Sequence, residues 1–315
     1  MYSRVSTEFR SDGNLVLRGW FYSPNDRKSK LPCIILTHGF SALKEHYLDK
    51  YAQEFVANGM CVLVYDNRNF GTSDGFPRLE VDPIAQIRDL RNAISFVQGL
   101  DSVDPDQIGL WGTSFSGGTS IVASANDKRV KCVVAQVPFI SGHHKSIRLA
   151  RPEQWEEIRK KYDEDRTARL LGNDPQMIKV VSDSSGNGIM RTPSAFSFFA
   201  SIQTWENKVT LRSVENSGDF EPIAYIKYIS PTPILFIVAK NDTVNATDLA
   251  LRAYKKALKP KKLVLIDGDH FDPYFDQFEI SAKKACEWFV KHLKVKPFTH
   301  GEALESQPSL PRAKL

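Results

Sequence analysis

The stretch QIGLWGTSFSGG, residues 107–118, sets an apolar run against Gly112 and follows it with Ser114 and more small residues. A strand that turns sharply into a helix at a serine exposes the hydroxyl beside free helix N–H groups, which suits attack on an acyl carbon. Position 116 is Ser where such a turn prefers glycine, so a tight strand-to-helix turn without chemistry would look much the same. The partners of Ser114 must decide, because a serine hydroxyl is a weak nucleophile without a base. Of the seven histidines, His270 lies in IDGDHFDPY, on a loop between the last apolar run and the final amphipathic segment. His46, His292 and His300 fall in helices or the tail and read as solvated surface. His38, in CIILTHGF, reads as a buried, hydrogen-bonded structural residue.

An acid must orient the base, and ILFIVAKNDTVN supplies Asp242 just past an apolar run. Room for one helix and one strand separates it from His270. Asp267, Asp269 and Asp272 crowd His270 and are rivals by proximity, with turn-making and helix capping as their ordinary roles. The oxyanion of an acyl-transfer reaction needs fixed N–H donors. The expected pair is the N–H of Phe115, directly after the serine, and the N–H of Phe40, after the run that ends in His38-Gly39. No histidine pair has metal-ligand spacing, and neither a metal nor a cofactor is expected.

These residues need elements to hold them, and the chain supplies a regular alternation. Short apolar, β-branched runs at 33–37, 61–65, 108–111, 130–137, 234–239 and 262–266 read as parallel strands. Amphipathic segments near 46–58, 83–99, 115–125, 247–257 and 276–292 read as helices. Before them, 5–9 and 15–22 flank Asp12-Gly13 and read as an antiparallel hairpin. The fold class is therefore α/β, with a mostly parallel eight-stranded sheet and antiparallel N-terminal strands. VLVYDNRNFGTSDG at 62–75 reads as a strand and a polar turn in which Arg68 anchors carboxylates or carbonyls.

The alternation breaks over 141–221, a segment rich in charge, aromatics and loop signals. It reads as a mostly helical cap between core segments 1–140 and 222–296. His143 and His144 open it and could line a pocket. Trp155, Phe196, Phe198, Phe199 and Trp205 offer aromatic surface, of which Trp155, Phe199 and Trp205 are taken as candidate substrate contacts. Two or three of the five aromatics are expected to reach the pocket. Residues 297–315 hold three prolines and few large apolar residues and read as a disordered tail.

The net charge of +5 is spread along the chain, and the densest basic run, 255–262, reads as a solvated helix face and turn, so no nucleic-acid partner is expected. Cys33, Cys61, Cys132 and Cys286 are far apart and mostly in apolar runs, which suggests a reducing compartment. No signal core and no membrane span are found, so a soluble, non-secreted protein is expected.

Taken in register, His38-Gly39, Asp66-x-Arg68-x-Phe70-Gly71-x-Ser73, Gly112-x-Ser114-x-Ser116-Gly117-Gly118, Asp242 and His270 make the chain resemble the α/β-hydrolases over residues 1 to about 295. The order Ser114, Asp242, His270 is the order those enzymes use. The elbow, the antiparallel start and the long cap resemble the dienelactone-hydrolase-like and polyketide-transferase-like enzymes, many from fungal secondary-metabolite clusters. That resemblance implies a serine hydrolase of an ester or thioester acyl substrate, of polyketide or acyl-coenzyme A type, acting through an acyl-enzyme. The alternatives are an acyltransferase passing a polyketide chain to an alcohol on the same residues, and a catalytically silent binding protein. Dehalogenase-like and epoxide-hydrolase-like relatives are disfavoured because they carry Asp at the elbow. The partner implied is a small acyl substrate, carried on coenzyme A or a carrier protein. Ala313, Lys314 and Leu315 match the small-basic-leucine form of the peroxisomal address, so an import receptor and a peroxisomal location are expected, cytoplasmic otherwise. The oligomeric state is left open.

Overall fold

Aliphatic, β-branched runs with no polar face are buried on both sides only inside a sheet that helices cover front and back. The computed structural model, which describes residues 1–25, 29–182, 186 and 188–295, places such runs at the centre of one eight-stranded sheet. Every residue of β3 (Leu31–Thr37) and β4 (Cys61–Tyr65) is buried. The strand order is β1-β2-β4-β3-β5-β6-β9-β10. β1 (Tyr2–Arg10) and β2 (Val16–Pro24) form the expected hairpin, in register from Tyr2 opposite Pro24 to Arg10 opposite Val16. Gly13, with φ of 74°, lies in its turn. β2 also runs antiparallel to β4. From there β3, β4, β5 (Val103–Thr113), β6 (Val130–Gln136), β9 (Ile234–Ala239) and β10 (Lys261–Ile266) are parallel. β10 closes the sheet with Lys261 and Lys262 on an edge strand, where charge discourages pairing with another chain.

Helices α1 (Leu48–Ala57), α2 (Pro83–Gln98), α3 (Phe115–Asn126), α8 (Thr247–Lys256) and α9 (Phe278–His292) cover the sheet and match the amphipathic segments to within a few residues. α2 starts where Asp82 accepts the Ala85 N–H and Pro83 takes the first turn, where its missing N–H costs nothing. α3 is different, since every residue from Phe115 to Ala125 is buried. Its Gly, Ser and Ala content permits that depth. Arg68 anchors the turn after β4 on the buried Asp89 carboxylate with two bonds of 2.5 and 2.6 Å, as the sequence suggested.

Between β6 and β9 the chain leaves the sheet. It forms α4 (Gly142–Leu149), α5 (Trp155–Leu170), α6 (Pro193–Ala200) and α7 (Leu211–Gly218), with a two-residue ribbon of β7 (Met177–Ile178) and β8 (Val209–Thr210) that no sequence pattern announced. The expected tail and its tripeptide Ala313, Lys314 and Leu315 lie outside the described residues, as does His300. Among the described residues no helix is long and apolar enough to cross a membrane.

Candidate active site

Ser114 is the single residue between the end of β5 and the start of α3, and its φ is 55°. That conformation is rare for a residue with a Cβ and is held only when neighbours over-determine it. Three main-chain bonds do so: the Ser114 N–H donates to the Gln136 carbonyl, and the Ser114 carbonyl accepts from Gly117 and Phe139, all within 2.8 to 3.0 Å. The turn is tight enough that a Cβ at Gly112 would lie 2.2 Å from the Ser116 carbonyl oxygen and 2.4 Å from Ser120 Oγ. Position 116 tolerates serine because the hydroxyl is used. Ser116 Oγ accepts the Thr113 N–H at 2.9 Å and offers its own proton to the Thr37 and Thr113 carbonyls at 2.5 and 2.9 Å, tying β3 to the turn.

His270 follows β10 and is buried, with Nε2 2.9 Å from Ser114 Oγ and Nδ1 2.7 Å from Asp242 Oδ2. The second oxygen of Asp242 accepts the Val244 and Asn245 N–H groups at 2.9 and 2.8 Å. Burial alone would raise the Asp242 carboxyl, but the charge and hydrogen bond of His270, with those two N–H groups, outweigh it and hold the carboxyl below its ordinary range. The rival acids do other work. Asp267 pairs with Lys240, Asp269 accepts from Phe271 N–H and Ser194 Oγ, and Asp272 accepts the Asp269 N–H.

The N–H groups of Phe40 and Phe115 have no hydrogen-bond partner among the described residues. Phe115 opens α3, where the helix leaves its first N–H groups free. The backbone before Phe40 presses on Ser114, since a Cβ on Gly39 would sit 3.0 Å from Ser114 Cβ. His38 is the buried structural residue expected: Nδ1 donates to the Gly39 carbonyl, Nε2 accepts the Asn67 N–H, and burial lowers its pKa.

An apolar cavity opens over Ser114, lined by sheet-end loops and by the segment between β6 and β9. Phe198 and Phe199 of α6 reach it, two of the five aromatics considered. Trp205 does not: it stacks behind Phe199 at 4.7 Å and donates Nε1–H to the Ser41 carbonyl at 2.8 Å. Trp155 begins α5, a mostly solvated helix away from the cavity, so the sequence assignment of Trp155 and Trp205 to the lining is corrected. His143 and His144 also miss it. Their helix brings Gly142, Lys145, Ser146 and Leu149 to the cavity instead, because residues three and four apart share a helix face and the two histidines fall off it.

Sequence reasoning passed over Asn245 and Lys145 and misplaced His46. Asn245 lines the cavity, with Nδ2 bonded to the Val137 carbonyl at 2.8 Å and 3.4 Å from Ser114 Oγ; its place in NDTVN carries no signal beyond its closeness to Asp242. His46, expected on a solvated helix, is instead fully buried before α1, against Phe198 and Phe199 at 5.1 and 5.7 Å. Its Nδ1 accepts the Leu43 N–H, and burial pushes its pKa down to about 4. Among the described residues no cluster of His, Cys, Asp and Glu could hold a metal ion.

The model of the X-Pro dipeptidyl-peptidase (S15) family matches residues 12–272. The chain belongs to the S15 family. This S15 member is 31% identical over 299 residues to a thiohydrolase of Eupenicillium brefeldianum, covering 91% of this chain and 94% of that one. It is 30% identical to the acyltransferase drtE of Aspergillus calidoustus, with the same coverage of each chain. Among solved structures, the α/β-hydrolase GrgF from Penicillium sp. sh18 superposes with a TM-score of 0.81 at 27% identity, over 93% of this chain and 99% of that one. DcsB in complex with its substrate analogue superposes with a TM-score of 0.83 at 27% identity, over 93% and 100%. The fold of the S15 member is that of the α/β-hydrolases.

Proposed function

We propose that this S15-family enzyme is a hydrolase or acyltransferase of acyl substrates, with Ser114 as nucleophile, His270 as base and Asp242 as the acid that orients it. The observation that carries this reading is the relay of 2.9 and 2.7 Å from Ser114 Oγ through the His270 ring to Asp242, beneath an apolar cavity. Ser114 Oγ attacks the carbonyl carbon of an ester or thioester while Nε2 takes its proton, and the Asp242 carboxylate stabilises the imidazolium. The free N–H groups of Phe40 and Phe115 receive the oxyanion. Nε2 then returns the proton to the departing alcohol or thiol, leaving an acyl-serine. Water or an alcohol gives up a proton to the same nitrogen and attacks that ester, and Nε2 passes the proton to the departing Ser114 Oγ, releasing the acid or a new ester and restoring the enzyme. The relatives named thiohydrolase and acyltransferase differ in that last partner, and we assign the substrate as a thioester on coenzyme A or a carrier protein.

A peptidase reading follows from the family description, but the cavity speaks against it. A dipeptidyl peptidase must hold the free α-ammonium of its substrate, and no Asp or Glu lines this cavity among the described residues, whereas Lys145 does. An ammonium there would meet a like charge.

The test is an acyl-N-acetylcysteamine thioester incubated with and without alcohols, with a fluorophosphonate to label the nucleophile. Labelling at Ser114, loss of turnover in Ser114→Ala with folding intact, and free acid or ester product would support the reading. Appreciable turnover by Ser114→Ala would remove Ser114 from the mechanism. As part of the same proposal, an import receptor binds Ala313-Lys314-Leu315. A fluorescent fusion ending at Leu315 should then reach peroxisomes, and one lacking the tripeptide should stay diffuse.

A further inference from the structure

Lys145 is the charged group in the cavity that the reaction above does not use. It projects from α4 into the same apolar space as Ser114 and His270. Its Nζ lies 5.3 Å from the centre of the Phe139 ring. Among the described residues it has no ion pair and no side-chain hydrogen bond, and no carboxylate lines the cavity. The buried Lys44, by contrast, holds Asp66 at 2.6 Å, and even the exposed Arg148, three residues along α4, holds Asp248 at 2.7 Å. Burial lowers the Lys145 ammonium to about 8, against the opposing pull of the Asp242 charge. An unpaired ammonium in an apolar pocket is costly, and a methionine or leucine would fill the space without that cost.

Rings line the cavity between the nucleophile and this ammonium. The Phe115 ring, next to Ser114, lies 5.0 Å from that of Phe139, and Phe139 lies under Lys145. An acyl chain whose carbonyl oxygen rests on the Phe115 N–H would run over these two faces toward Nζ. We propose that Lys145 is a specificity residue that binds an anionic oxygen, a carboxylate or enolate, carried on the acyl chain a few carbons from the reacting carbonyl. The inference rests on the acyl-transfer reading and narrows its substrate class.

The test compares kcat/KM for mono-p-nitrophenyl esters of adipic, pimelic and suberic acids with that for p-nitrophenyl hexanoate, heptanoate and octanoate. The intact enzyme should favour the carboxylate member of at least one length pair by about tenfold or more, the worth of a hydrogen bond to a charged group. Lys145→Met should bring that ratio close to one, and Lys145→Arg should keep most of it. Fluorophosphonate labelling of Ser114 in each variant shows that the site is assembled. Turnover of the neutral esters with no preference for the carboxylates, or a ratio that survives Lys145→Met, would overturn the proposal while leaving the acyl reading standing. Failure of both ester series together with failure to label Ser114 would overturn both. A third arm compares hexanoyl-coenzyme A with the hexanoyl-N-acetylcysteamine thioester. If Lys145→Met lowers that ratio and leaves the carboxylate ratio unmoved, the anion belongs to the leaving group and the proposal fails.

Discussion

Asp242 does not touch Ser114, yet it determines what His270 can do. With Oδ2 on Nδ1 at 2.7 Å it fixes the proton there and leaves Nε2 as the acceptor facing Ser114. Asparagine in its place would keep the shape and present an amide that favours the wrong tautomer. Asp242→Asn should therefore lower kcat by about four orders of magnitude and leave KM for a neutral ester nearly unchanged. Stopped-flow turnover of that ester measures the loss, and a near-normal rate would point to another carboxylate. The side chain of Asn245 and the fixed carbonyl of Val137 then appear as part of the same frame, since the Asn245 main chain holds Asp242 while its amide reaches toward Ser114 Oγ.

At the scale of elements, Ser114 stays in place because β5 and α3 meet at that one residue and the loop after β3 closes against it. Gly39→Ala tests that closure. Its Cβ would stand 3.0 Å from Ser114 Cβ and 3.3 Å from the Thr113 carbonyl oxygen, too close without moving one of them. A displacement of the donor or nucleophile by a fraction of an ångström costs heavily in a positioned reaction. The variant should lose about a hundredfold in kcat with little change in its thermal transition, read by an ester assay beside circular dichroism. Much of this frame was legible in the sequence, because apolar runs buried on both faces mark the central strands and a small-residue turn after one of them marks the start of the helix that follows Ser114. The cap residues were not legible in the same way. His143, His144 and Lys145 are adjacent in sequence, and only the phase of α4 against α7 decides which of them faces the cavity. Likewise nothing in the local pattern of Tyr47 and its neighbours shows that His46 would be covered by three aromatic rings from residues 198–205.

At the scale of the molecule, that covered histidine joins the sheet body to the segment between β6 and β9. Its ring is packed by Phe198, Phe199 and Trp205, and its Nδ1 holds the Leu43 N–H near the start of α1. With the folded pKa lowered to about 4 from the ordinary 6.5, the unfolded chain binds the proton more readily than the folded one between those values. The stability this contributes is present in full above about pH 6.5 and is lost as pH falls toward 4. His38, also lowered by burial, acts in the same direction. Glutamine at position 46 has an amide that can accept from Leu43 and donate to the Phe199 carbonyl, and it does not titrate. Comparing urea unfolding at pH 7 and pH 5, the wild type should lose about 2 kcal/mol more than His46→Gln, because the contribution of His38 is common to both and cancels. Equal losses in the two proteins would show that the proton enters this part of the molecule elsewhere. A larger loss in the wild type would identify His46 as the group whose protonation loosens the contact between the segment over the cavity and the sheet that carries Ser114.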